Sequence, residues 1–246
     1  MSAQLQPHFG LAAGVPVTDT LISSQSSSSS STSSSFNNYN SKTKRLLIGP
    51  AFRLDLIKGL GLEFDAIYQR VDYDATNRST QASTPPFSSY SFQQTTANRW
   101  QFPLLVQYAH ALPLSKARAF VEFGPSISHI GGGQSTVYST STTPSSPTTT
   151  STTSNVSSFT GQGSTQAGVT AGAGVDVMMF HLHLRPQFRY SHWFSTTVGS
   201  QAFIPVSAQL AGDFTSLSSV SSFVVPSVSA FRTQSNEASF LLDLLF

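Results

Sequence analysis

Eight segments of the sequence alternate apolar and polar residues with a period of two, and this pattern restricts the fold more than any other feature. Successive side chains of a β-strand point to opposite faces, so the pattern predicts strands. The eight predicted strands are residues 7–17, 45–56, 60–73, 99–112, 117–130, 166–179, 182–194 and 237–246. A helical membrane bundle is excluded, because the sequence has no run of about 18 apolar residues.

The connections between these predicted strands alternate strictly between long and short. The three short turns are residues 57–59, 113–116 and 180–181. The four long connections are rich in Ser and Thr and cover about residues 18–44, 74–98, 131–165 and 195–236. They contain too little apolar surface to form a core of their own, so we predict loops within a single domain, residues 1–246. In an up-and-down antiparallel barrel this order places all long loops at one rim, a layout typical of outer-membrane barrels.

The two faces of the predicted strands differ in charge. One face is almost continuously apolar, as in Trp100, Phe102 and Leu104. The opposite face carries eleven of the 24 charged residues (13 Lys and Arg, 11 Asp and Glu): Arg53, Asp55, Glu63, Asp65, Arg99, Arg118, Glu122, Asp176, Arg185, Arg189 and Asp243. Six acids and five bases nearly balance, and charges inside a narrow barrel need partners. We therefore predict a paired charge network in the lumen and an apolar face towards lipid.

Aromatic residues lie near the predicted rims, where membrane proteins place their interfacial anchors. We predict an aromatic girdle of Tyr68, Trp100, Tyr108 and Tyr190. Two further rim aromatics, Tyr73 and Trp193, are grouped with it, although strict alternation points Trp193 inward.

Composition excludes several other classes of protein. Only 10% of residues are charged and the net charge is +2, with no basic stripe, so we expect no nucleic-acid partner. Aromatic residues make up 11% of the chain, too many for a chain that is disordered throughout. Cysteine is absent, which excludes disulfides and thiolate chemistry.

No pattern in the chain predicts a catalytic, cofactor-binding or metal site. The segment nearest to a hydrolase motif runs from Tyr190 to Ser195, but His192 and Ser195 fall on opposite faces of a strand. A nucleophile and its base must be in contact, so this segment does not offer the pair. His181 and His183 have the spacing of neighbours on one strand face, but no third zinc ligand is evident.

The last predicted strand ends the chain with alternating apolar residues, Phe240, Leu242 and Leu244, and a terminal Phe246. This strand resembles the C-terminal strand of bacterial outer-membrane proteins, which the barrel-assembly machinery recognises. With eight strands and four long loops, the whole chain resembles the small OmpA/OmpX-type barrels, although its Ser/Thr loops are longer than those of compact members. The resemblance implies an integral outer-membrane protein whose partners are the lipid bilayer and, during biogenesis, the assembly machinery.

We expect a non-enzymatic role, structural or in surface interaction, through the long Ser/Thr loops, whose extracellular ligand the sequence does not identify. Two other functions stay open: a narrow pore through the lumen, and an outer-membrane lipid hydrolase similar to lipid A deacylases. The alternative fold is a soluble barrel of lipocalin type, which would need its apolar face inside. At the N-terminus, Ser2-Ala3-Gln4 resembles the end of a cleaved signal peptide, so we expect that a signal peptide has been removed or that the protein is not exported.

Overall fold

The computed structural model describes residues 6–42, 44–56, 59–82, 86–113, 117–146, 149–160, 163–180, 182–195 and 233–246. The strands in these residues are β1 (Gln6–Pro16), β2 (Ser24–Ser29), β3 (Ser33–Ser41), β4 (Leu47–Asp55), β5 (Leu60–Asp65), β6 (Ile67–Gln81), β7 (Phe87–Ala111), β8 (Ala117–Ile130), β9 (Gln134–Ser146), β10 (Thr149–Thr160), β11 (Ser164–Met179), β12 (Leu182–Trp193) and β13 (Asn236–Leu245). The described part of the chain has no helix that is long and apolar enough to cross a membrane.

Eight antiparallel strands close into one barrel, which confirms the predicted fold class. β5 and β6 follow each other as one barrel strand, and the others are β1, β4, β7, β8, β11, β12 and β13. β1 pairs with β4 on one side and with β13 on the other, where Gly10 lies opposite Leu245 and Pro16 opposite Ser239. The first and last strands thus close the sheet, and closure removes the free edges that an open sheet would have.

The third barrel strand is divided at Ala66, between β5 and β6. Pro50 of β4 and Pro103 of β7 lie beside this point, and proline has no N–H to donate to a neighbouring strand. The Ala66 N–H still donates to the Pro50 carbonyl at 3.1 Å, and the register to β4 is the same on both sides of the gap. Side-chain alternation therefore continues from β5 into β6, so Glu63 and Gln69 point to the same face.

Much of three long connections forms β-hairpins, so the prediction of loops is wrong for these residues. β6 and β7 continue beyond the barrel as far as the pair of Gln81 and Phe87. β3 pairs with this extension of β6 and β2 with β3, while β9 pairs with the extension of β7 and β10 with β9. The result is a six-stranded antiparallel sheet, here called the hairpin sheet: β2, β3, residues 73–81 of β6, residues 87–96 of β7, β9 and β10.

Backbone pairing explains why these Ser/Thr segments form strands without a large apolar core. Each hairpin satisfies its own backbone donors and acceptors, and the β-branched Thr residues favour strands. Hydroxyl groups add bonds across the strands: Ser28 to Ser35 at 2.8 Å, Ser34 to Thr80 at 2.6 Å and Ser79 to Ser89 at 2.7 Å. In the fourth connection, residues 196–232 lie outside the described residues.

The barrel wall separates side chains by face. Outward-facing apolar side chains such as Phe9, Leu104 and Phe123 are exposed on the outside of the barrel. The lumen is mostly polar, but one part of its wall is a buried apolar cluster of Ala12, Leu47, Ala51, Ile67, Leu241 and Leu245. Four strands, β1, β4, β6 and β13, contribute to this cluster, and β4 and β13 also carry lumen charges.

Candidate functional site: the charged barrel interior

The structure places all eleven predicted lumen charges on the inward face of the barrel. Nine of them are buried, and Asp55 and Arg118 are half-buried at the rim with the short turns. They divide into three clusters along the barrel axis, which we name the lower, middle and upper clusters, starting from the short-turn rim.

The lower cluster consists of Arg53, Asp55, Arg118, Asp176 and His183. Arg53 Nη1 and Arg118 Nη2 both donate to Asp176 Oδ2, at 2.8 and 2.9 Å. His183 Nδ1 lies 2.8 Å from Asp176 Oδ1, and Arg53 Nε lies 2.5 Å from Asp55 Oδ1. One carboxylate of β11 therefore ties together side chains of β4, β8 and β12.

The middle cluster is organised around two arginines of β12. Arg189 Nε donates to Glu122 Oε1 at 2.7 Å and Nη1 donates to Asp65 Oδ2 at 2.5 Å, while Nη2 contacts Glu63. Arg185 Nη1 donates to the other oxygen of Glu63 at 2.6 Å. Charge-assisted bonds from a planar guanidinium to several carboxylates are strong and fix its orientation. The middle cluster therefore crosses the lumen from β12 to β5 and β8.

Further residues fill the space around Arg185. Its Cζ atom lies 4.3 Å from the centre of the Phe120 ring, and its Nη1 lies 3.7 Å from Asp243 Oδ2. Gln187 Nε2 donates to the same oxygen of Asp243 at 2.5 Å. Asp243 therefore completes the middle cluster from β13, and an aromatic ring closes one side of it.

The upper cluster lies near the rim with the long connections. Arg99 Nη1 donates to Glu237 Oε1 and Nε donates to Ser128 Oγ, both at 2.7 Å. The Arg99 guanidinium also lies 5.2 Å from the centre of the Trp193 ring, and Trp193 Nε1 donates to Glu237 Oε2 at 2.9 Å. Four barrel strands, β7, β8, β12 and β13, are thus joined through one arginine.

Apolar side chains close the lumen beyond the upper cluster. Leu21 pairs with Thr233 in an isolated bridge and is buried at this rim, and Thr20 accepts a bond from Arg99 at 3.4 Å. The residues packed around Leu21 are Val71, Tyr73, Ala75 and Ile130. The chain after β1 therefore folds over the mouth of the barrel.

A small cavity separates the middle and upper clusters. Its volume is about 20 Å³, room for about one water molecule. Arg189 and Trp193 are among the residues that line it. The side chains of the middle and upper clusters therefore cross the lumen on either side of this cavity.

The four predicted girdle residues lie on the outside of the barrel. Tyr68 and Trp100 are adjacent, with ring centres 5.2 Å apart, and Tyr190 lies near the same rim. The Tyr190 hydroxyl donates to Asn236 Oδ1 at 2.7 Å. Tyr108 is exposed near the short-turn rim. These rings thus occur towards both ends of the apolar wall.

Two other aromatics that the sequence grouped with the girdle point inward instead. Tyr73 is buried among the residues around Leu21, and Trp193 is only 1% exposed in the upper cluster. Their placement as rim anchors is wrong, because both occupy positions whose side chains point into the barrel. For Trp193, strict alternation already indicated the inward direction.

The predicted C-terminal assembly residues face outward. Phe240, Leu244 and Phe246 are exposed and Leu242 is half-buried. Phe246 N–H donates to the Phe9 carbonyl at 2.9 Å, and Phe9 N–H donates to the Phe246 carbonyl at 3.2 Å. The C-terminal residue is therefore part of the barrel closure. Recognition of these residues by an assembly machinery stays a prediction.

The segment that resembles a hydrolase motif has other partners. His192 is exposed on the outside, where its Nδ1 lies 2.8 Å from Asn236 Oδ1. Ser191 points the other way, with its Oγ 2.7 Å from Thr170 Oγ1. Metal-binding groups of three or more His, Cys, Asp or Glu side chains do not occur among the described residues, and His181 lies outside them. His183 belongs to the lower cluster.

Sequence reasoning missed one member of the charge network, Glu237. It is buried and bonds both Arg99 and Trp193. Glu237 is separated from Ser239 and Asp243 by even numbers of residues, so the alternation along β13 places all three on the same face. The buried glutamines Gln69, Gln107, Gln166 and Gln187 also line the lumen, and alternation places Gln69, Gln107 and Gln187 on the same face as the charges.

Comparison with known proteins gives one family match. The model of a family described as "Outer membrane protein beta-barrel domain" matches residues 2–197. A solved structure titled "Crystal structure of Neisserial surface protein A (NspA)" is 12% identical, covers 100% of this chain and 97% of that chain, and has a TM-score of 0.30. These values are too low for that structure to support a conclusion about the present chain. No curated protein sequence matches it.

Proposed function

The chain belongs to the outer membrane protein β-barrel domain family, and on that premise we propose a non-enzymatic role in surface interaction. The barrel acts as a closed anchor in the bacterial outer membrane, and the hairpin sheet is the part that meets partners. In bacterial barrels of this type the short turns face the periplasm and the long connections face the exterior. The hairpin sheet then projects outside the cell.

The hairpin sheet is the observation that carries this proposal. It extends β6 and β7 well beyond the aromatic girdle, and its six strands contain only two charged residues, Asp74 and Arg78. A sheet of this size is not needed to close the barrel. Its strands present hydroxyl and amide groups, which can form hydrogen bonds with partners that carry no charge.

Four aromatic residues share the outward face of the hairpin sheet, and we call them the aromatic patch. Phe92 lies opposite Tyr138, with ring centres 6.4 Å apart, and Phe36 and Tyr90 flank Arg78 in the neighbouring row. Tyr90 is 41% and Tyr138 48% exposed. Rings surrounded by hydroxyl groups suit a neutral, hydroxyl-rich partner, which stacks on the ring faces and bonds the rim. A neutral glycan has that chemistry.

The filled lumen favours an anchor over a pore. An eight-stranded barrel has an interior just wide enough for its own side chains. Here three clusters of ion pairs and the apolar group around Leu21 occupy that interior. The hydrolase alternative is less favoured, because its candidate base His192 lies on the outside of the barrel and bonds Asn236 there.

The test uses vesicles that contain the full chain, applied to an array of immobilised neutral glycans. The variant Tyr90→Ser/Tyr138→Ser removes the exposed rings of the aromatic patch. The control is Val156→Ser, which removes an exposed apolar side chain opposite Tyr138 without removing a ring. We expect binding by the wild-type protein and the control, and loss in the double variant. Binding equal to that of empty vesicles would contradict the proposal.

A further inference from the structure

Two cations lie side by side on the outside of the barrel at the rim with the long connections. Lys44 N–H donates to the Arg70 carbonyl at 3.2 Å, and Lys42 N–H donates to the Asp72 carbonyl at 2.8 Å. Lys42 and Lys44 therefore both lie beside β6. Since Val71 is buried, alternation directs Arg70 and Asp72 outward, and Lys44 is exposed beside them.

The local charges are not balanced. Arg70 Nε lies 3.2 Å from Asp72 Oδ1, and Lys42 forms an ion pair with Asp74. In the described part of the chain, Lys44 has no carboxylate within ion-pair distance, and its cross-strand neighbour Arg70 has the same sign. Like charges in that relation destabilise a sheet. We call this group the basic rim patch; its residues are Lys42, Lys44 and Arg70, with Asp72 and Asp74, and its net charge is +1.

The basic rim patch lies directly beyond the aromatic girdle. Arg70 is two residues after Tyr68 on β6, and its partner Asn98 is two residues before Trp100 on β7. The Tyr68 hydroxyl donates to Asn98 Oδ1 at 2.8 Å, which links the two rows. Two residues of a strand span about 7 Å. Aromatic girdles mark the level of lipid headgroups, so the cations lie at or just above that level.

The patch is confined to one side of the barrel. On the opposite wall, the exposed residues near the same rim include His129 and His192, which bond Thr165 and Asn236. Below the patch, Leu46 and Ile48 are exposed on the lipid-facing wall. A ligand that places anionic groups on Lys44 and Arg70 can therefore lay an apolar portion against these two side chains.

We propose that the basic rim patch binds the phosphate groups of a phosphorylated glycolipid in the outer leaflet. Lys and Arg are the side chains that bind phosphate, Arg through paired donors and Lys as a point charge. Bound phosphate relieves the repulsion between Lys44 and Arg70. This inference rests on the orientation in the proposed function, with the long connections outside.

The test measures lipid binding to the full chain in detergent micelles by native mass spectrometry. The probes are lipid A with both phosphates, the same lipid after enzymatic dephosphorylation, and inorganic phosphate. Lys44→Gln/Arg70→Gln is the test variant. Arg78→Gln is the matched control, since Arg78 is an exposed cation eight residues further along β6.

We expect the wild-type protein and Arg78→Gln to retain phosphorylated lipid A. The affinity of the double variant for this lipid should fall by a factor of about ten or more. Equal binding by both variants, or equal binding of the dephosphorylated lipid, would overturn the proposal. If millimolar inorganic phosphate displaces bound lipid A as well as added lipid A does, the patch is a site for free phosphate, and the lipid assignment is overturned.

Orientation is tested separately. The chain has no cysteine, so Arg78→Cys is the only site for a membrane-impermeant maleimide. Labelling of intact cells supports an external hairpin sheet. Labelling only after cell lysis overturns the orientation, and with it the outer-leaflet assignment. If intact cells are labelled but the wild-type protein binds both forms of lipid A equally, the lipid inference alone is overturned and the orientation stands.

Discussion

Arg189 and Asp65 meet across the barrel lumen, 124 residues apart in sequence, with Nη1 donating to Oδ2 at 2.5 Å. Both side chains are buried, and the same guanidinium contacts Glu63 and Glu122. This contact requires β5 and β12 to lie in one closed barrel. The middle cluster therefore couples barrel closure to charge pairing.

Loss of the Arg189 side chain removes an ion-pair partner from three buried carboxylates, of which only Glu63 keeps another, Arg185. We predict that Arg189→Met lowers the free energy of unfolding by about 3–5 kcal/mol, because unpaired buried charges are costly. Arg189→Lys recovers only part of this loss, since one ammonium group does not reach three carboxylates as a planar guanidinium does. Urea unfolding in detergent, followed by circular dichroism, measures both, with exposed Arg78→Gln as control. A loss for Arg189→Met of less than about 1 kcal/mol, the size of an average substitution, would argue against a paired lumen.

A filled lumen predicts electrical silence. Wild-type protein in a planar bilayer should give no resolvable current steps, because the ion-pair clusters and the group around Leu21 occupy the lumen. The variant Glu63→Ser/Glu122→Ser/Arg185→Ser/Arg189→Ser truncates two acids and two bases together, and we expect it to pass current. Circular dichroism of the variant establishes that it remains a β-barrel. Current steps from the wild-type protein would support the pore alternative.

The contact between the first and last strands predicts an intolerant glycine. A Cβ atom at Gly10 would overlap the backbone oxygen of Leu244, whereas a Cβ at Gly131 would lie 3.5 Å from the nearest oxygen, that of Asn98. Gly10→Ala should therefore destabilise the barrel by about 1–3 kcal/mol through overpacking, and Gly131→Ala much less. The temperature at which the folded form disappears from SDS gels reports the difference. Equal temperatures for the two variants would show that β1 and β13 are not so closely packed.

The hairpin sheet predicts slow hydrogen exchange where the sequence predicts loops. Backbone amides in the extensions of β6 and β7 are paired on both sides, so they should be protected. Hydrogen exchange with mass spectrometry on peptides from residues 73–81 and 87–96 measures this, with peptides of the barrel part of β8 as the reference. Exchange at the rate of an unstructured peptide would restore the loop interpretation.

The barrel could be predicted from sequence because its two faces meet different environments. Alternation of lipid-facing residues such as Phe123 with lumen charges such as Glu122 is strong, so strand number and the direction of side chains follow from it. The hairpin sheet could not be predicted in this way, because Ser and Thr occupy both of its faces and leave no period. Backbone hydrogen bonds between neighbouring strands determine those strands, and these bonds produce no recognisable pattern in a Ser/Thr sequence.

Alternation predicts the charged and amide residues of the lumen, but not its aromatic and apolar ones. Tyr73 was assigned to the girdle because it is aromatic and near a rim, yet its parity directs it inward. Leu47 and Ile67 line the lumen although they are apolar, because they pack with the other side chains of a buried apolar cluster. Pairing partners such as Arg189 and Asp65 depend on the three-dimensional closure of the barrel, so a linear pattern does not identify them.

The most direct test asks which face of the barrel meets lipid, and the two tryptophans of the chain provide it. Trp100 is 38% exposed on the outside and Trp193 is 1% exposed inside. In vesicles of brominated phospholipid, Trp193→Phe, which retains Trp100, should lose most of its fluorescence, and Trp100→Phe, which retains Trp193, should lose several-fold less. Equal quenching of the two variants, or stronger quenching of Trp193, would contradict a barrel with its charges inside and its apolar face in lipid.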